Sequence, residues 1–126
     1  MNIRALQPED IDKLRHIHMC YYKDEFEFPD FLNNFLCAFV VIDENNEQII
    51  SCGGVRLIAE CVTLTDKNYP IKDRRTALYQ VLDASSFIAG KADFNKIHAV
   101  TENRNWTRHL MKIGFHSRGN ILALNL

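Results

Sequence analysis

Three cations, Lys72, Arg74 and Arg75, fall within four positions where a turn-rich stretch gives way to a helix. Unpaired amide N–H groups and the helix dipole attract phosphate at such a place, and guanidinium groups add direct charge pairing. The same cluster also suits a basic helix start that only faces solvent. His16 and Cys20 stand four apart on a helical pattern and could share a metal ion, whereas His18 points another way around the helix. No third ligand has matching spacing, so satisfied or surface histidines and no metal site are expected. The cysteines are Cys20, Cys37, Cys52 and Cys61, with no Cys-x-x-Cys pair. Three of them sit in strand-like runs, where a free thiol behaves as a small hydrophobe, so reduced cysteines are expected. Asn103 is a turn or helix-cap residue by its chemistry.

The elements that must position these groups follow from periodicity. Ile3–Leu6 reads as a first strand. Pro8, Glu9 and Asp10 then open a helix to Tyr22, with Pro tolerated in the first turn and the acids at the positive end of the dipole. Phe26, Phe28, Phe31 and Phe35 crowd the next stretch, which includes a short helical run from Pro29 to Asn34 and reads as a core-covering flap. Leu36–Ile42 is a continuous apolar strand, 43–47 a polar turn, and Ile49–Ala59 a second strand. Gly53-Gly54 inside that strand calls for a bulge or a close backbone approach. The run lacks the glycine spacing of a nucleotide-binding loop.

Glu60–Thr65 alternates as a third strand, with Glu60, Val62 and Leu64 on one face and Cys61, Thr63 and Thr65 on the other. Residues 66–73 form a loop, and a helix from Arg74 to Ala89 stops at Gly90. Lys96–Thr101 is a strand and 102–105 a polar break. Trp106–Ile113 is a short amphipathic helix that Gly114 ends with a left-handed cap. His116–Leu126 supplies a last strand, bent at 118–120.

At 126 residues the chain is expected to form one domain with a single core. The formal net charge of −1 gives no positive field for nucleic acid, and no apolar run approaches a membrane span. The first residues, MNIRALQPED, have neither signal-peptide nor transit-peptide character, so a cytoplasmic location is the expectation.

The layout of Lys96–Phe115, strand, Asn103, helix and Gly114-Phe115, resembles the late segment of the GNAT N-acetyltransferase superfamily. The order of elements along the whole chain resembles it too. The resemblance implies a single acyl-CoA N-acyltransferase-like domain of the α/β (α+β) class. Its sheet would be mixed, mostly antiparallel and flanked by helices on both faces, with a parallel pair between the Glu60 and Ile97 strands. It implies transfer of an acetyl group from acetyl-CoA to a primary amine of a small molecule or protein. The competing expectation is an inactive domain that binds a coenzyme or a protein.

Under this resemblance Val62 and Leu64 lie on the strand whose backbone holds the pantetheine arm. Lys72, Arg74, Arg75, Thr76 and Ala77 match the pyrophosphate loop, although no glycine is present there, and Asn103 helps hold the coenzyme. Glu60 takes the place of a glutamate base. Leu110 stands where relatives often carry the tyrosine that protonates the departing thiolate, and His109 beside it is the substitute candidate. Tyr21, Tyr22, Phe26 or Phe28 would shape the acceptor pocket. No nucleic-acid or membrane partner is implied, and a homodimer is compatible with it.

Overall fold

Strand β1 (Asn2–Ala5) pairs antiparallel with β2 (Phe35–Ile42), and β2 pairs antiparallel with β3 (Ile49–Arg56). The computed structural model describes all of residues 1–126. It is an α+β fold with this three-stranded antiparallel sheet, in the order β1-β2-β3, and three α-helices. A two-residue strand, β4 (Ala59–Glu60), pairs with β5 (Ile97–His98). The chain divides into two compact units, one of residues 1–59 with 86–97, the other of 60–85 with 98–126. No helix is long and apolar enough to cross a membrane.

In the first unit the chain leaves β1 and enters a 3-10 turn at Pro8–Asp10, continuous with helix α1 (Ile11–Tyr21). Asp10 fastens this corner. Its carboxylate accepts two hydrogen bonds from the Arg4 guanidinium, at 2.7 and 2.8 Å, and one from the Gln7 amide at 2.8 Å. A buried carboxylate is tolerated only when it is paired in this way. Asp10 is 6% exposed. Leu14 of α1 and Val40 of β2 are the buried apolar residues of this unit.

Residues 43–48 make the polar hairpin turn expected from the sequence, held by Asp43 N–H to Gln48 O and by Glu47 in the left-handed region. The glycine pair has two different neighbourhoods. One strand irregularity lies on the facing strand, at Leu36, between the paired positions Phe35–Arg56 and Cys37–Val55, and a second lies on β3 at Ile50, between Val41–Ser51 and Ile42–Ile49. A Cβ on Gly54 would run into the Cys37 carbonyl oxygen and come within 2.8 Å of the Ala38 Cα, whereas one on Gly53 meets nothing within 4 Å. The close approach is therefore a property of Gly54 alone.

The expected helical run at 29–34 is absent. Turns replace it, with Asn33 N–H reaching Asp30 O at 3.2 Å and the Asn33 amide donating to the Asp30 carboxylate at 2.8 Å. Short polar side chains that bond to their neighbours in this way compete with helix formation. The aromatic flap forms around His18, whose ring meets Phe26 at 5.4 Å and Phe28 at 5.6 Å edge-on. His18 Nε2 lies 2.6 Å from the Phe26 carbonyl, and the Arg15 guanidinium covers Phe28 at 4.7 Å.

Helix α2 (Ile71–Lys91) is longer than expected at both ends. It begins at Ile71, because Pro70 supplies the carbonyl that accepts from the Arg74 amide at 3.0 Å. It runs through Gly90 and stops at Asp93, which takes the left-handed conformation at φ 66°. Asp93 N–H bonds to Gly90 O and Phe94 N–H to Ala89 O, the pair of bonds that closes a Schellman cap. Gly90 looked like the stop because glycine usually fills the left-handed position. Here an aspartate three residues later does so.

The second unit packs around Leu78 and Leu82 of α2 and Leu110 of helix α3 (Arg104–Lys112). At the end of α3, Gly114 at φ 112° forms the expected left-handed cap, with Gly114 N–H on Met111 O and Phe115 N–H on Leu110 O. Two expected strands are much reduced. Only Glu60 of the Glu60–Thr65 run and Ile97-His98 of the Lys96–Thr101 run are paired. The last stretch, 116–126, forms no strand. Gly119 takes the left-handed region at φ 87° and Arg118 donates to His98 Nε2 at 3.0 Å, but no turn or bend forms at 118–120, and Leu122, Leu124 and Leu126 beyond it are exposed.

Gly54→Ala is expected to cost about 1–3 kcal/mol in denaturant unfolding, through the backbone overlap, while Gly53→Ala stays within about 1 kcal/mol. Equal effects would contradict the close approach. The Arg4 hydrogen bonds, followed by the Gln7 amide and the Arg4 charge, hold the Asp10 carboxyl at about 2, below its ordinary value, against the opposing effect of burial. A lowered folded value stabilises the protein above the unfolded pKa, and this contribution is lost as pH falls toward 2. The stability gap between wild type and Asp10→Asn, measured by urea unfolding, should therefore be open at pH 6 and shrink steadily below about pH 4.

Candidate functional site

The β4–β5 pairing is two residues long, and Cys61 N–H still reaches His98 O at 2.8 Å just past it. Beyond that bond both segments line one cavity of about 500 Å³, which lies wholly within the second unit. Residues 60–63 form one wall and residues 99–103 another. Leu82 of α2 and Leu110 of α3 are buried against it, and Trp106 completes the lining. The period-two alternation outlasts the ladder: Cys61 and Thr63 are half-buried, while Glu60, Val62 and Leu64 are exposed.

A capping network fixes the second wall. The Asn103 side-chain oxygen accepts from the Trp106 amide at 3.0 Å, so Asn103 is the N-cap of α3. The Asn103 carbonyl accepts from the Thr107 amide and from the Thr107 hydroxyl, both at 2.9 Å. The Thr101 hydroxyl lies 3.1 Å from that of Thr107 and 3.2 Å from the Asn103 carbonyl. These bonds satisfy first-turn donors of α3 and hold residues 101–107 in one conformation.

Of the residues singled out in the sequence, Glu60, Val62 and Asn103 meet at this cavity. Leu64 is 99% exposed and outside it. Lys72, Arg74, Arg75, Thr76 and Ala77 lie in the first two turns of α2, not in a loop, and none lines the cavity. The Thr76 hydroxyl donates to the Lys72 carbonyl one turn back at 3.1 Å. Arg74 is the half-covered member of this group, and its Nε atom is buried without a hydrogen-bond partner.

His109 stacks on Trp106, at 5.7 Å between ring centres and 22° between planes, and lies 6.0 Å from the Tyr79 ring. Its Nε2 atom is buried without a hydrogen-bond partner, and the residue is not part of the cavity wall. Leu110 occupies the wall in its place.

Cys61, Thr63, Thr101, Glu102, Trp106 and Leu82 were not singled out as site residues. Strand alternation places Cys61 and Thr63 opposite the exposed face, which was the available signal. Glu102 read only as part of a polar break. The charged lining residues, Glu60 and Glu102, are both acidic, with no lysine, arginine or histidine beside them. No group of three or more His, Cys, Asp or Glu side chains could hold a metal ion.

The capping role is measurable by itself. Asn103→Ala should cost about 1 kcal/mol of stability and Asn103→Ser much less, because serine also caps. Equal losses in thermal unfolding would mean that the side chain acts through some other contact. No protein-family model matches the chain, and a search of the curated proteins found no match.

Proposed function

We propose that this chain is an acetyl-CoA-dependent N-acetyltransferase built on a GNAT-like plan, acting on a primary amine. The observation that supports the reading is the cavity where the β4–β5 ladder ends. Backbone amides and carbonyls released from a ladder need other partners. The pantetheine arm of the coenzyme carries amides that can take their place along 60–63. The acidic lining, Glu60 and Glu102, suits an acceptor that arrives as an ammonium ion.

In this scheme Glu60 takes a proton from the ammonium group. The freed nitrogen lone pair attacks the thioester carbonyl carbon, and a backbone N–H of the Val62–Thr65 segment stabilises the oxyanion. The C–S bond then breaks, and the thiolate departs with the bonding electron pair. Leu110 has no proton to give, so the thiolate leaves unassisted. The nitrogen, cationic once the new C–N bond has formed, passes its extra proton through water to that thiolate, leaving a neutral amide and the free thiol. His109 touches the site only through the Trp106 ring, which makes it a positioning residue in this scheme. Lys72, Arg74 and Arg75, with the free first-turn amides of α2, hold the pyrophosphate.

A second reading is favoured by Leu110: the cavity binds coenzyme or a protein segment without turnover. Calorimetric titration with acetyl-CoA is the first test, and no binding at saturating concentration would eliminate both coenzyme readings. With binding established, thiol release in the presence of an amine panel separates enzyme from binder. Glu60→Gln should then lower kcat/KM by about 100-fold or more, with little change in coenzyme affinity. The double substitution Arg74→Ala, Arg75→Ala should weaken coenzyme binding at least about tenfold. Unchanged affinity in that variant would refute the phosphate role.

A further inference from the structure

Glu60 and Glu102 stand on different walls of the cavity, one on the 60–63 side and one on the 99–103 side. Neither carboxylate has a hydrogen bond or an ion pair within the chain. The rest of the lining is uncharged and largely apolar, with Val62, Leu82, Ala99, Val100, Trp106 and Leu110. A single ammonium ion answers one of the two carboxylates, and the uncharged pantetheine arm answers neither. We infer that the cavity selects an aliphatic diamine, a methylene chain with an ammonium group at each end. One nitrogen goes to Glu60, Glu102 binds the other as an ammonium ion, and the methylenes lie on the apolar lining. The inference rests on the acetyltransferase reading for the fate of the first nitrogen. For binding it rests on the charge and shape of the cavity.

The backbone holds both carboxylates in place before any ligand arrives. Glu60 belongs to the short pairing with β5, and the next amide, that of Cys61, bonds to His98 O. Glu102 lies between Thr101 and Asn103, which are both tied into the first turn of α3. Little ordering is then left to oppose binding. Glu102 also has no part in the proton transfer assigned to Glu60, so it is free to set specificity. Transfer turns the first nitrogen into a neutral amide and leaves the far one as ammonium. The product thus carries one positive charge fewer than the diamine and matches the two carboxylates less well, which favours its release.

Calorimetric titration of the full chain without acetyl-CoA tests the inference. The probes are the diamines from trimethylenediamine to hexamethylenediamine, each against the n-alkylamine of the same chain length. The best-fitting diamine is expected to bind at least about fivefold more tightly than its matched monoamine. Glu102→Gln should bring that ratio close to one, and Glu102→Asp, which keeps the charge, should retain a preference. Glu102 is exposed, so circular dichroism is expected to report an intact fold in both variants. No diamine preference in the wild-type chain, or an unchanged ratio in Glu102→Gln, would overturn the inference. Diamine preference without thiol release from acetyl-CoA would reject the transferase reading and leave the diamine site standing. Thiol release at equal kcat/KM with diamines and their matched monoamines would do the reverse.

Discussion

A backbone amide removed from a sheet ladder must be satisfied by some other group, and this constraint governs the second unit. The β4–β5 ladder is two residues long, so the segments that follow it cannot meet their needs from each other. On the β5 side the solution is local. Thr101, Asn103 and Thr107 tie the chain into the first turn of α3, which then presents Trp106 and Leu110 to the cavity. On the β4 side no comparable side-chain network covers residues 61–63, and the cavity lies against them. The candidate site is thus where one arm of an interrupted pairing is capped and the other is left open.

The first unit answers the same kind of demand with charge. Asp10 can be buried because three donors converge on it, two from Arg4 on β1 and one from Gln7. Strand, turn and helix start are tied together by a single carboxylate. Elsewhere in this unit, burial pushes the Cys52 thiol up from its ordinary value, further from the thiolate form. Cys20 differs from it in being exposed and in facing an imidazole.

Periodicity made the regular elements legible. α1, β2, β3 and α3 stand within about three residues of where the apolar spacing placed them, with β3 stopping at Arg56 instead of Ala59 and α3 starting at Arg104 instead of Trp106, and Gly114 ends α3 as its chemistry requires. The misreadings share a cause: a local signal was outweighed by a partner elsewhere. Gly90 carried the composition of a helix stop, but the bonds that close the helix form around Asp93. Pro70 marked the loop before α2 but also starts the helix, which put Lys72–Ala77 on helical turns. The strand patterns at 60–65, 96–101 and 116–126 had the right alternation. Pairing needs a neighbour in register, and alternation does not specify one. Of the site, Glu60, Val62 and Asn103 were named through the family resemblance, and Asn103 also by its capping chemistry. The wall residues brought in by α2 and α3 depended on packing that no short window contains.

Residues 61–64 run on past the two-residue pairing with strand-like alternation of burial and form no strand of their own. Ordering a flexible segment on binding consumes about 1–2 kcal/mol per residue of conformational entropy. A segment held in the extended form has met much of that cost during folding. An extended, amide-bearing guest laid along it would in effect be the missing strand, and its gain from new hydrogen bonds would go more fully into affinity. Under the proposed function the short ladder is half of a sheet, and the guest is the other half.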